Sequence, residues 1–105
     1  MARRRESATW AEPALLVLGS LADGPKHGYA IIQAVAAESG ISLGPGTLYA
    51  ALSRMEEQGL IVAEPGDERR RPYRMTGAGQ RLLAERLSAM AAFAQTGLAR
   101  LAVQS

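Results

Sequence analysis

No cysteine occurs in the 105 residues of this chain. That removes disulfides, thiol nucleophiles and cysteine-based zinc sites together, and makes a reducing compartment the expectation. Histidine occurs once, at His27, so neither a catalytic pair nor a histidine metal cluster can be assembled. No glycine-rich loop of the phosphate-cradling kind is present either, so enzymatic chemistry, a metal and a cofactor are all unexpected. Aromatic residues are few, with one Trp, one Phe and three Tyr against a hydrophobic content of 48%. The core must therefore be aliphatic, which is the composition of a helical protein. No apolar run approaches the roughly 20 residues needed to span a bilayer. Met1 to Arg5 is followed by polar Glu6 and Ser7 rather than by a signal-peptide core, so a soluble cytoplasmic protein with no membrane partner is expected.

A chain of this length makes one domain, since a single core typically serves about 100 to 150 residues. The formal net charge is only +2, but the bases are gathered in two places. Arg3, Arg4 and Arg5 form an N-terminal cluster, and Arg69, Arg70, Arg71 and Arg74 form a second; elsewhere acids outnumber bases. Local basic density governs contact with a polyanion, so these segments are candidates for phosphate binding. A solvated arm and a solvated turn are the plainer account of the same charges.

Thr9-Trp10-Ala11-Glu12 has the spacing of a capping box, followed by Pro13 in the first turn of a helix. Leu15, Leu16, Val17, Leu18 and Leu21 follow almost without a break, so this helix should be buried on most sides until Asp23-Gly24-Pro25 ends it. Apolar spacing predicts a second helix over about His27 to Glu38, stopped by Gly40. Pro45 suits the first position of a third helix whose inner stripe is Leu48, Leu52 and Met55, closed by Gly59. Thr47, Tyr49, Ala50, Ser53 and Arg54 fall mostly on its outer faces. Leu60 to Glu64 and Pro72 to Met75 flank Pro65-Gly66-Asp67 and read as a β-hairpin with arginines at its tip. Thr76 caps a last helix running from Gly77 to about Val103, weakened locally by Gly77, Gly79 and Gly97.

The expected fold class is mainly α with a small β-hairpin: a winged helix-turn-helix plus a long C-terminal helix. Its expected divisions are a basic N-terminal arm over 1–8, the winged helix-turn-helix over 9–76 and a C-terminal dimerisation helix over 77–105. A helix that enters the DNA major groove meets base edges with its N-terminal residues. Gly44, Pro45, Gly46 and Thr47 give it a small, unobstructed start. Free amides at the starts of the second and third helices can hold phosphate oxygens. The arginine-tipped wing then reaches the neighbouring backbone or the minor groove.

The order and spacing of Leu16-Val17-Leu18, Gly24-Pro25-Lys26-His27-Gly28-Tyr29, Gly46-Thr47-Leu48-Tyr49, Met55-Glu56, Gly59-Leu60-Ile61, Tyr73-Arg74-Met75-Thr76 and Ala78-Gly79 resemble the PadR family of regulators over roughly residues 13 to 90. That resemblance implies operator binding, dimerisation by the C-terminal helix and, in many members, a response to small aromatic or drug-like ligands. The single short C-terminal helix is similar to that of the compact subfamily. Ala50 stands where the family often has Pro, Ala30 where an acid is common, and the last helix carries Phe93 where small members can use a Trp as a ligand platform.

The expected DNA-binding set is Lys26, His27, Tyr29, Gly46, Thr47, Tyr49, Arg54, Arg69, Arg70, Arg71 and Arg74, with bases read by Thr47 and Tyr49. Phosphates would fall to Lys26, Tyr29, Arg70 and Arg71. Several of these have competing roles: His27 in capping or packing, Tyr29 in the core, Tyr49 against the wing, and Arg54 in a surface ion pair with Glu56 or Glu57. The last helix, at about 1.5 Å per residue, overhangs a domain of this size. Its stripe of Leu83, Leu87, Met90, Ala94, Leu98 and Leu101 would need a second subunit to cover it. Trp10 and Phe93 are the aromatics available for a ligand pocket beside that seam, although Trp10 also suits plain packing. The reading is a homodimeric, ligand-responsive repressor on double-stranded DNA with a palindromic operator, cytoplasmic and nucleoid-associated. The alternative is a winged-helix adaptor that binds protein rather than DNA.

Overall fold

The computed structural model describes residues 12–66 and 71–104. The elements run α1 (Pro13–Ser20), α2 (Gly28–Ser39), α3 (Pro45–Glu57), β1 (Ile61–Ala63), β2 (Tyr73–Met75) and α4 (Gly77–Gln104). Trp10, Arg69, Arg70 and the basic arm at Arg3 to Arg5 lie outside the described residues.

Pro13 opens α1, and Glu12 occupies the N-cap position without a side-chain cap. The capping-box expectation needs correction here, because the Glu12 carboxylate turns away from its own helix and accepts from Arg86 Nη1 of α4 at 3.2 Å. The unbroken apolar run makes α1 the hub of the core, since it packs against α2, α3 and α4. Leu15, Val17 and Leu18 are buried, and so is Ser20, whose hydroxyl donates to the Val17 carbonyl at 2.7 Å and so satisfies itself within the helix.

His27 takes the N-cap position of α2 in extended conformation, but its imidazole makes no cap hydrogen bond. Gly40 ends α2 at φ 78°, the left-handed conformation that glycine adopts without steric cost. A short turn follows, and Pro45 starts α3 at a position whose missing N–H is no loss. Leu48, Leu52 and Met55 are almost fully buried, as their spacing predicts.

In the hairpin, Ile61 pairs with Met75, Val62 with Arg74 and Ala63 with Tyr73. A further pairing is absent from the sequence reading. Lys26 bridges to Tyr73 through reciprocal backbone hydrogen bonds of 3.1 and 2.9 Å, so the segment entering α2 lies alongside β2 as a rudimentary third strand. Thr76 ties the hairpin to the last helix: its hydroxyl donates to the Gly59 carbonyl at 2.7 Å and accepts from the Gly79 amide at 3.1 Å. This is the cap expected of Thr76, with a second function added.

Helix α4 is 28 residues long, roughly 42 Å at 1.5 Å per residue. Only Gly79 and Leu83 are buried within it. The rest carries the molecule to an extent of 56 Å along its longest axis, against 33 and 24 Å across.

Candidate nucleic-acid interface

The direction in which α3 faces is fixed by its buried residues, Leu48, Ala51, Leu52 and Met55. At about 100° per residue, Gly46, Ala50, Ser53 and Glu57 fall within about 30° of the opposite direction, forming the outer crest of the helix. All four are exposed. Tyr49 and Arg54 sit about 70° to either side of that crest, and Thr47 about 90° from it, level with the helix flank.

The two expected base readers therefore lie on opposite shoulders. Tyr49 leans toward α2, where its hydroxyl packs so closely on Gly28 that a Cβ there would collide with it. The ring is still half exposed. Thr47 turns the other way and, with Ala50 and Arg54, lines a cleft of about 510 Å³ between α1, α3 and α4 whose far wall includes Glu12, Leu82 and Arg86. Arg54 makes no ion pair among the described residues, so the competing pairing with Glu56 or Glu57 does not form in this structure.

Two members of the expected DNA-binding set, Lys26 and Arg74, make contacts within the chain. The Lys26 ammonium donates to the Ser20 carbonyl at 2.6 Å and to Asp23, and its side chain is only 20% exposed. In this structure it works as a clamp on the α1–α2 turn. The same hydrogen bond, followed by the charge of Lys26, holds the Asp23 carboxyl below its usual range. Arg74 donates from Nε to Glu64 across the hairpin, leaving that pair locally neutral. Tyr29 is 65% exposed and not part of the core. Arg71 is half-buried at the start of the returning wing segment. Tyr73 beside it has its phenol pushed up, first by burial and then by the charge of Glu56.

On α4 the expected stripe divides. Leu83 is buried in the chain's own core and Met90 packs against that core, so both are committed within one subunit. Leu87, Ala94, Leu98 and Leu101 remain exposed, as does Phe93 at 82%. Phe93 lines neither this cleft nor the smaller groove described below. Among the described residues no cluster of His, Asp or Glu could hold a metal, and no helix is long and apolar enough to cross a membrane.

A recognition helix with a low crest, a hairpin wing stitched to the helix before it and a long terminal helix form one arrangement. The model of the Transcriptional regulator PadR-like family matches residues 17–85, which take in α2, α3, the hairpin and the first turns of α4. The chain belongs to that family. As a PadR-like protein it is a DNA-binding transcriptional regulator with a winged-helix fold, and its class is that of transcription factors rather than enzymes. Among its relatives, transcriptional regulator Rv3488 of Mycobacterium tuberculosis is 39% identical over 74 residues, covering 68% of each protein. A 37.1 kDa protein of transposon TN4556 from Streptomyces fradiae is 48% identical over 77 residues, which are 73% of this PadR-like chain but 22% of that longer protein. A PadR family regulator from Clostridium difficile superimposes with a TM-score of 0.72 at 28% identity, covering 80% of this chain and 92% of the other.

Proposed function

We propose that this PadR-like chain is a homodimeric repressor that grips a palindromic operator with α3 and the wing, pairs through the distal half of α4, and lets go when a small ligand enters beside that seam. The carrying observation is the exposed, small-residue crest of α3 beside a basic wing whose returning strand is tied to the entry of α2 by the Lys26–Tyr73 bridge. The sequence places Arg69 and Arg70 next to Arg71 on the wing, which supports phosphate contact there in a cytoplasmic, nucleoid-associated protein.

Support for the dimer is the exposure of Leu87, Ala94 and Leu98 along one face of a helix that projects from its own core, an apolar strip that water would otherwise cover at a cost. Two-fold pairing is the commonest solution. It divides the chain into an arm over 1–8, a DNA-binding unit over 9–76 and a pairing helix over 77–105. Support for a ligand is a groove of about 200 Å³ lined by Leu16, Val35, Leu83, Leu87 and Met90 at the root of that strip. It is smaller than the roughly 300 Å³ and above usual for small-molecule sites, and a second subunit would complete it. Repression requires only that bound protein occlude a promoter.

Footprinting on DNA upstream of the protein's own gene and its neighbours, with sedimentation in parallel, tests this reading. A symmetric protected site bound by a dimer is the expected result. A monomer that protects no site and binds random DNA without salt dependence would favour a protein-binding adaptor instead.

A further inference from the structure

We propose that Ser53 is the specificity-determining residue of α3, with Ala50 beside it on the crest, and that Thr47 and Tyr49 act from the flanks. The proposal rests on the DNA-binding reading above and assigns the base contact within it. A helix with its side chains is about 10–12 Å across and the major groove about 12 Å wide, so how deeply the helix enters depends on what stands on its leading edge. On this chain the leading edge begins with Gly46, Ala50 and Ser53, and nothing there extends beyond Cβ until the Ser53 hydroxyl. A crest this low brings the backbone close to the base edges, and a hydroxyl one carbon from the chain is then long enough to reach one. The longer Tyr49 and Arg54 project sideways, toward the groove walls where the phosphates lie.

The crest also has an end. Glu57 lies about 16 Å along the axis from Gly46, in the last turn, where its charge opposes approach to the phosphates and marks the end of the low crest. Ser53 lies about 10 Å from Gly46 and falls inside the readable window. Its hydroxyl can donate or accept, and the Ala50 methyl, one turn earlier, suits contact with a thymine methyl. Both residues are exposed and neither belongs to the core; Ala50 also borders the cleft beside α1, whereas Ser53 does not line it.

Selection from a random double-stranded library, sequenced for wild type, Ser53→Ala, Ser53→Asn and Thr47→Ala, tests the assignment. With Ser53→Ala, discrimination at one symmetric position per half-site should fall by about tenfold or more, the usual worth of a good base contact. Affinity for random DNA should stay within about twofold and the melting temperature should not fall, because Ala is the better helix former at an exposed site. Ser53→Asn should move preference at that same position toward adenine, which Asn pairs in two-pronged fashion. An unchanged motif in Ser53→Ala, or an equal loss on every sequence, overturns the assignment, as does loss of that position in Thr47→Ala instead. Failure of wild type to enrich any sequence overturns the regulator reading itself and is visible before any variant is compared.

Discussion

Gly79 and Gly97 lie on the same helix, and replacing each with Ala should shift stability in opposite directions. A Cβ at Gly79 would collide with the Leu60 carbonyl oxygen, come within 2.9 Å of Met75 Cγ and within 3.2 Å of Leu18 Cδ2. The Leu60 oxygen has little room to yield, because it already accepts from the Thr76 amide at 3.0 Å. Overpacking a tight site costs about 1–3 kcal/mol, and a pinned backbone neighbour puts this one at the upper end. Against that stands a gain of about 1 kcal/mol in helix propensity. The net expectation for Gly79→Ala is a loss of about 2 kcal/mol, or a melting temperature lower by roughly 10 °C in a domain of this size. At Gly97 an added Cβ meets nothing within 4 Å, so the propensity term acts alone and the melting temperature should rise by roughly 5 °C. Both variants should be melted by circular dichroism at one protein concentration, since association shifts the midpoint. A Gly79→Ala protein as stable as Gly97→Ala would refute the close approach of α4 to the hairpin.

Replacing Arg70 and Arg71 together with Ala should weaken binding to all DNA sequences alike and reduce the salt slope by about 2, read from binding isotherms across a salt series. Lys26→Met should instead leave the salt slope unchanged and lower stability by about 1 kcal/mol in urea titration, because its ammonium serves the Ser20 carbonyl and Asp23. Glu at both Ala94 and Leu98, exposed positions outside the chain's own core, should give a folded monomer by sedimentation with specific affinity lowered by orders of magnitude. Burial raises the Tyr73 phenol above its usual 10.0, so the folded chain keeps a proton that the unfolded chain loses. That contribution is complete below pH 10 and disappears as pH rises through the folded value; melting curves should fall with pH above 10, and less steeply in Tyr73→Phe.

The architecture was legible because its signals are local. Pro45, Gly40 and Thr76 punctuate helices where their backbone chemistry requires, and the spacing of Leu48, Leu52 and Met55 set the inner face of α3 before any packing was known. The inner face of a helix also defines its outer one, so the Ser53 crest was available from the same spacing. What local signals do not carry is tertiary. Nothing local to Lys26 says that its ammonium turns back to Ser20 or that its backbone pairs with Tyr73, 47 residues on. Charge alone could not separate Arg74, neutralised by Glu64, from the arginines around it. Periodicity along α4 grouped Leu83 with Leu98, while the boundary between core and overhang depends on where α1 stops covering the helix.

That boundary gives α4 the mechanics of a lever. Its root is seated at Gly79 and Leu83 against α1 and the start of the hairpin, and Gln104 lies about 31 Å beyond Leu83 along the axis. A tilt of about 5° at the root therefore carries the tip nearly 3 Å, a displacement comparable to one base-pair rise of about 3.4 Å. Because Thr76 and Gly79 couple the fulcrum to Gly59 and Leu60, directly after α3, the motion is geared in both directions. In the ligand-responsive dimer proposed above, a shift of the seat by fractions of an ångström would take the two recognition helices out of register with successive turns of the duplex.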